Sequence, residues 1–173
     1  MQHLDLETME LLGDFYLYIA VVPRPWVEQQ PKPIVLEPGD SRGPDTVWWT
    51  HHECAIEIRE FCDMRWVRID PTGYYLTDDL QETSWSDVNN HRVEIVEDDS
   101  GNMMEFTISI DIRTAYSDFL DEVIKLAELA KCDFFEFEYE RFFRPSREII
   151  IEAIQQHMMT NVVFDASGKI KPN

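Results

Sequence analysis

Residues 48–54, with the sequence WWTHHEC, place two tryptophans, two histidines, a glutamate and a cysteine in one short stretch. Imidazole, thiolate and carboxylate groups are the usual protein ligands of zinc. Neighbouring side chains of a strand point to opposite faces, so His51 and His52 cannot both bind one metal there without a bend. Only His52 and Cys54 share a face, and two ligands are too few for zinc. The stretch is therefore interpreted as the start of a sheet strand, and no metal is predicted.

A cysteine near a histidine is also the arrangement of a thiol nucleophile with its base. Cys54 is followed by Ala55 and Ile56, and a cysteine in such surroundings is expected to be a small buried hydrophobic residue. The six glycines are scattered singly and form no phosphate-binding loop, so no cofactor is predicted. One alternative stays open, a small enzyme or ligand-binding domain with a site around His51, His52 and Cys54.

The overall charge of the chain is the strongest compositional signal. The 173 residues include 34 acidic and 15 basic side chains, for a formal net charge of −19, yet 44% are hydrophobic and 12% aromatic. Disordered acidic tails lack such aromatic content, so the acid is expected to coat a folded body. This coat repels nucleic-acid phosphates and anionic membranes and attracts basic proteins. Neither nucleic acid nor a membrane is predicted as a direct partner.

The N-terminal residues, the hydropathy and the cysteines indicate the cellular compartment and the number of domains. The first residues carry acids where a signal peptide has a basic leader. No window approaches the roughly 20 apolar residues of a membrane span. Three cysteines form no disulfide framework. We therefore expect a cytoplasmic protein with reduced thiols and one domain over residues 1–173, containing a long proline-rich connection at 23–44 and a loose tail at about 166–173.

Hydrophobic periodicity predicts the secondary structure. In residues 103–112, apolar side chains alternate with polar ones, which indicates a strand with one face in solvent, and the turn-rich residues 98–102 predict a hairpin with 92–97. Residues 78–91 read as a polar loop. Further strands are predicted at 14–22, 54–61, 64–70, 74–77 and 133–143, and helices at 4–12, 114–131 and 147–159. The fold class is α+β: a mostly antiparallel, twisted sheet of about six to eight strands with two C-terminal helices on one face.

Charge and aromatic content together favour a non-enzymatic binding protein. Glu136, Glu138 and Glu140 are predicted to line one strand face at roughly 7 Å spacing, and Asp98 and Asp99 add charge in the hairpin turn. The exposed members of a set of four tryptophans are predicted to anchor the partner: Trp26, Trp48, Trp49 and Trp85. The function class is an inhibitor of the immunity-protein, antitoxin or anti-defence kind, which blocks a basic toxin or nucleic-acid-binding enzyme. A homodimer is a third hypothesis.

Overall fold

A seven-stranded antiparallel sheet, in the strand order β2-β3-β4-β5-β1-β6-β7, forms the centre of the protein. The computed structural model describes residues 15–32, 34, 47–49, 56–70, 79–164 and 170–172. The strands of the main sheet are β1 (Tyr16–Pro23), β2 (Val67–Ile69), β3 (Leu80–Ser86), β4 (Arg92–Asp98), β5 (Met103–Asp111), β6 (Cys132–Glu136) and β7 (Arg141–Phe143). Strands β8 (Val162–Phe164) and β9 (Ile170–Pro172) pair separately.

Four α-helices accompany the sheet in the described ranges: α1 (Arg24–Gln29), α2 (Ile56–Arg65), α3 (Ser117–Leu129) and α4 (Arg147–Asn161). Residues Val47–Trp49 form a short 3₁₀ helix. The predicted α+β class, the antiparallel sheet of six to eight strands and the two C-terminal helices on one face are confirmed.

The core is built around β1, as its pattern predicts. β1 lies between β5 and β6, and its residues from Leu17 to Pro23 are buried apart from Tyr18. The apolar side chains of α3 and α4 join the same cluster, which includes Phe119, Leu120, Val123, Leu126, Ile150 and Ile154. Burial of this many large apolar groups is the main driving force for the fold.

Aromatic contacts fasten the proline-rich connection to the sheet at both ends. The ring centroids of Trp26 in α1 and Trp48 in the 3₁₀ helix lie 6.2 Å apart. Trp49 Nε1 donates a hydrogen bond of 3.1 Å to the carbonyl oxygen of Val21, and its ring lies 6.2 Å from that of Phe106. The 3₁₀ helix therefore bridges β1 and β5.

Two predictions about loops and strands in the first half of the chain were wrong. The connection at 23–44 is not irregular throughout, because residues 24–29 form α1, and proline is tolerated in a first helical turn. Residues 54–61 were predicted as a strand, but α2 begins at Ile56. The buried side chains of Ile58, Phe61 and Cys62 recur at three- and four-residue spacing, which is the period of a helix. The alternation that suggested a strand ends at Ile58.

Three more predictions fail for a shared reason, which is that polar residues are buried or paired rather than solvated. The predicted loop 78–91 contains β3, which pairs with β4 along its whole length. The supposedly solvated face of β5 is buried at Thr107, Ser109 and Asp111. The predicted loose tail contributes β9, which pairs with β8. The expected elements at residues 4–12 and 74–77 lie outside the described residues.

Candidate functional site

Polar side chains form a row across β3, β4 and β5, on the face of the sheet opposite to the one that carries Trp85 and Val93. The register places Ser84 opposite Glu94 and Glu94 opposite Thr107. Two residues further along β4, Val96 pairs with both Glu82 and Glu105. Side chains on one face alternate with those on the other, so the three glutamates share a face. We name Glu82, Glu94 and Glu105 the glutamate row.

Burial and mutual repulsion change the acidity of this row. Burial above all, together with the charges of Glu82 and Glu105, raises the pKa of Glu94 from 4.5 to about 7 against the opposing effect of Arg92. Burial also raises the pKa of Glu105, and a hydrogen bond from Thr107 opposes this shift. Glu94 is therefore a carboxyl group that exchanges its proton near neutral pH, a property often found at functional sites.

Short hydrogen bonds fix the ends of the glutamate row. The hydroxyl of Ser84 donates to Glu82 Oε1 at 2.7 Å, and the hydroxyl of Thr107 donates to Glu105 Oε1 at 2.9 Å. Arg92 Nε and Glu105 Oε2 are buried without a hydrogen-bond partner among the described residues. Within the described ranges, no group of three or more His, Cys, Asp or Glu side chains could hold a metal ion.

Three of the four predicted tryptophan anchors lie in the core. Trp48, Trp49 and Trp85 are buried, whereas Trp26 is partly exposed. Trp85 Nε1 donates to Asp63 Oδ1 at 2.9 Å, so even its polar atom is used internally. Of the four, Trp26 alone offers surface for contact, and partner binding by these residues stays a prediction.

The predicted row of Glu136, Glu138 and Glu140 on one strand face is wrong, because β6 ends at Glu136. Glu136 is buried and accepts the backbone N–H of Glu138 at 2.6 Å and that of Tyr139 at 3.2 Å. The side chain of Glu138 instead contacts His157 Nδ1 at 2.8 Å. Glu140 is exposed and has a φ of 50°, within the turn that leads to β7.

The two aspartates of the hairpin turn have different roles. Asp98 Oδ1 accepts the backbone N–H groups of Ser100 and Asn102, both within 3 Å, and the bonds from Asn102 lower the pKa of Asp98. Asp99 is exposed. Asp98 thus stabilises the turn in which Gly101 takes its φ of +79°, and Asp99 contributes surface charge.

His51, His52 and Cys54 lie outside the described residues, so the alternative site around them stays a prediction. The side chains of Cys62 and Cys132 are both buried. In a Cys54→Ser variant, we expect no reaction of the native protein with a disulfide reagent such as dithiobis-nitrobenzoate and release of about two thiolates after unfolding in guanidinium. Rapid reaction of the folded variant would contradict the burial of both thiols.

The sequence contained a weak strand signal for β3 that its polar composition hid. Residues 82, 84 and 86 alternate with buried Trp85, as do residues 92 and 94 with buried Val93. Such period-two patterning indicates a strand even when one face is polar. The polar content of residues 78–91 instead suggested a loop.

Comparison of the chain with protein-family models, with curated proteins and with solved structures finds no match in any of the three. Among the described residues, no helix is long and apolar enough to cross a membrane. The function has to be inferred from the charges and contacts of the chain itself.

Proposed function

We propose that the protein is an acidic, non-enzymatic binding protein that docks on a basic protein and covers the surface with which that protein acts. The net charge of −19 provides a long-range attraction to such a partner. Immunity proteins, antitoxins and anti-defence inhibitors are the classes that act in this way.

The observation that carries the proposal is the use of the arginines. Of the nine arginines in the described ranges, only Arg92 forms no ion pair. The other eight are paired with acids of the same chain: Arg24, Arg59, Arg65, Arg68, Arg113, Arg141, Arg144 and Arg147. These cations are therefore already neutralised within the fold and are poorly placed to attract an acidic partner.

Many acids, by contrast, remain exposed. Eight of them have no ion pair among the described residues: Glu57, Glu60, Asp70, Asp79, Asp99, Asp118, Glu140 and Glu148. The excess negative charge thus lies where solvent and a partner meet it. Such charge accelerates association more than it slows dissociation, and salt screens it.

Salt dependence tests the proposal once a partner is captured from the source cells and purified. We expect a protein rich in Lys and Arg, with an affinity that falls at least tenfold between low and physiological ionic strength, mainly through the association rate. A Glu57→Lys, Glu60→Lys, Asp99→Lys variant should associate more slowly than wild type. All three side chains are exposed, unlike Glu136, so reversal of their charge leaves the core intact.

The matched control for charge is the variant with glutamine or asparagine at the same three positions, which should fall between wild type and the lysine variant. An acidic or neutral partner, or an affinity that salt does not change, would contradict the proposal. Elemental analysis of the same preparation tests the alternative site around His51, His52 and Cys54, since stoichiometric zinc would support it.

A further inference from the structure

Two large exposed apolar side chains lie three residues apart in the chain, where α2 leads into the outer strand β2. Met64, in the last turn of α2, is 76% exposed, and Val67, the first residue of β2, is 71% exposed. β2 is an outer strand of the main sheet in the described part of the chain. We infer that this surface is where the basic partner docks, with an aliphatic side chain flanked by Lys or Arg placed on Met64 and Val67. This inference rests on the proposed function.

The helical period explains why charge and apolar area meet on this surface. Ile58, Phe61 and Cys62 turn into the core. Glu57, Glu60 and Met64 recur at three- and four-residue spacing and therefore line the outward side of α2, and both glutamates are exposed. We call Glu57, Glu60, Met64 and Val67 the α2–β2 surface.

The cations next to this surface are already held by acids. Arg68 donates two hydrogen bonds to the Asp63 carboxylate, at 2.7 and 2.8 Å, and Arg65 is paired with Glu122. The charges left on the α2–β2 surface are therefore negative. They favour a cationic segment and repel a second copy of this acidic chain.

The surface is also fixed to the core, which lowers the entropy that docking has to overcome. Trp66, between Met64 and Val67, is buried with its ring centroid 5.4 Å from that of Phe119 in α3. Asp63 ties the same segment to β3 through the indole N–H of Trp85. Met64 and Val67 thus project from a preorganised support.

Two synthetic peptides of equal length and equal positive charge test the inference. One is made of lysine and leucine and the other of lysine and serine. At low ionic strength we expect wild type to bind the leucine peptide about tenfold more tightly, since burying apolar area on Met64 and Val67 supplies that difference. Amide chemical shifts should change in residues 57–67.

The variant Met64→Ser, Val67→Ser should lose the preference for leucine and still bind both peptides through charge. Its matched control is Val88→Ser, Met159→Ser, because Val88 and Met159 are 97% and 86% exposed elsewhere on the surface. A preference that survives in the first variant, is lost in the control or is missing from wild type would overturn the docking surface alone. Failure of wild type to bind either peptide would overturn the proposed function as well.

Discussion

Glu94→Gln should make the protein more stable at pH 8, by about 3 kcal/mol, and leave its stability at pH 4 nearly unchanged. Burial beside Glu82 and Glu105 raises the pKa of Glu94 from 4.5 to about 7. Below pH 4.5 the carboxyl binds a proton in both the folded and the unfolded chain, so it contributes no pH dependence. Between pH 4.5 and 7 only the folded protein keeps the proton, and the free energy of unfolding of wild type falls as the pH rises.

Above pH 7 Glu94 is ionised in both states, and the folded protein bears the full cost of a buried charge. Glutamine removes that charge, and its amide can donate to the neighbouring carboxylates. Urea unfolding at several pH values measures the difference, and the carboxyl carbon resonance of Glu94 should titrate near pH 7. The control is Glu57→Gln, an exposed position where no comparable pH dependence is expected. An equal effect of Glu94→Gln at pH 4 and pH 8 would contradict the assigned cause.

Replacement of the buried polar residue His91 should greatly lower the free energy of unfolding. Its ring is fully buried, Nδ1 accepts the backbone N–H of Asp111 at 3.0 Å and Nε2 donates to the carbonyl of Ala115 at 2.9 Å. His91→Phe keeps the ring against Phe119, whose centroid is 4.8 Å away. It leaves the backbone N–H of Asp111 without its acceptor and the carbonyl of Ala115 with only the side-chain amide of Asn89 as a donor. We expect a loss of about 3 kcal/mol, and of about 5 kcal/mol for His91→Ala, which adds a cavity.

Urea denaturation with an unchanged m-value measures both losses. Val88→Ala serves as the control in the same turn, because Val88 is exposed and its truncation should change stability by less than about 0.5 kcal/mol. If His91→Phe were as stable as wild type, the backbone N–H of Asp111 would have found another acceptor, and His91 would contribute packing alone.

The fold class was predictable because the strongest patterns belong to the central elements. Three patterns each predict a single type of element: the apolar run of β1, the hairpin of β4 and β5, and the helical period of α3. The strand β3 was missed since its residues are polar, and polarity usually indicates a loop. The next strand, β4, pairs with β3 along its whole length and shields one face of these polar residues.

The glutamate row was out of reach for a similar reason. A raised pKa depends on which carboxylates the register brings together, and Glu82, Glu94 and Glu105 come from three strands. The row of Glu136, Glu138 and Glu140 shows the opposite case, in which a regular spacing was present but the strand ended at its first member. Alternation predicts a face only where the chain stays extended.

The contact between Trp26 and Trp48 also determines how the length of the intervening chain affects stability. The core holds both rings, and four of the nine prolines lie between them. A contact between residues separated along the chain closes a loop, and the entropy of that closure grows with the logarithm of the loop length. Each doubling costs about 0.6 kcal/mol, less than the roughly 0.8 kcal/mol lost with one buried methylene. The closure entropy of this contact is therefore a smaller term than the packing of the two rings that make it.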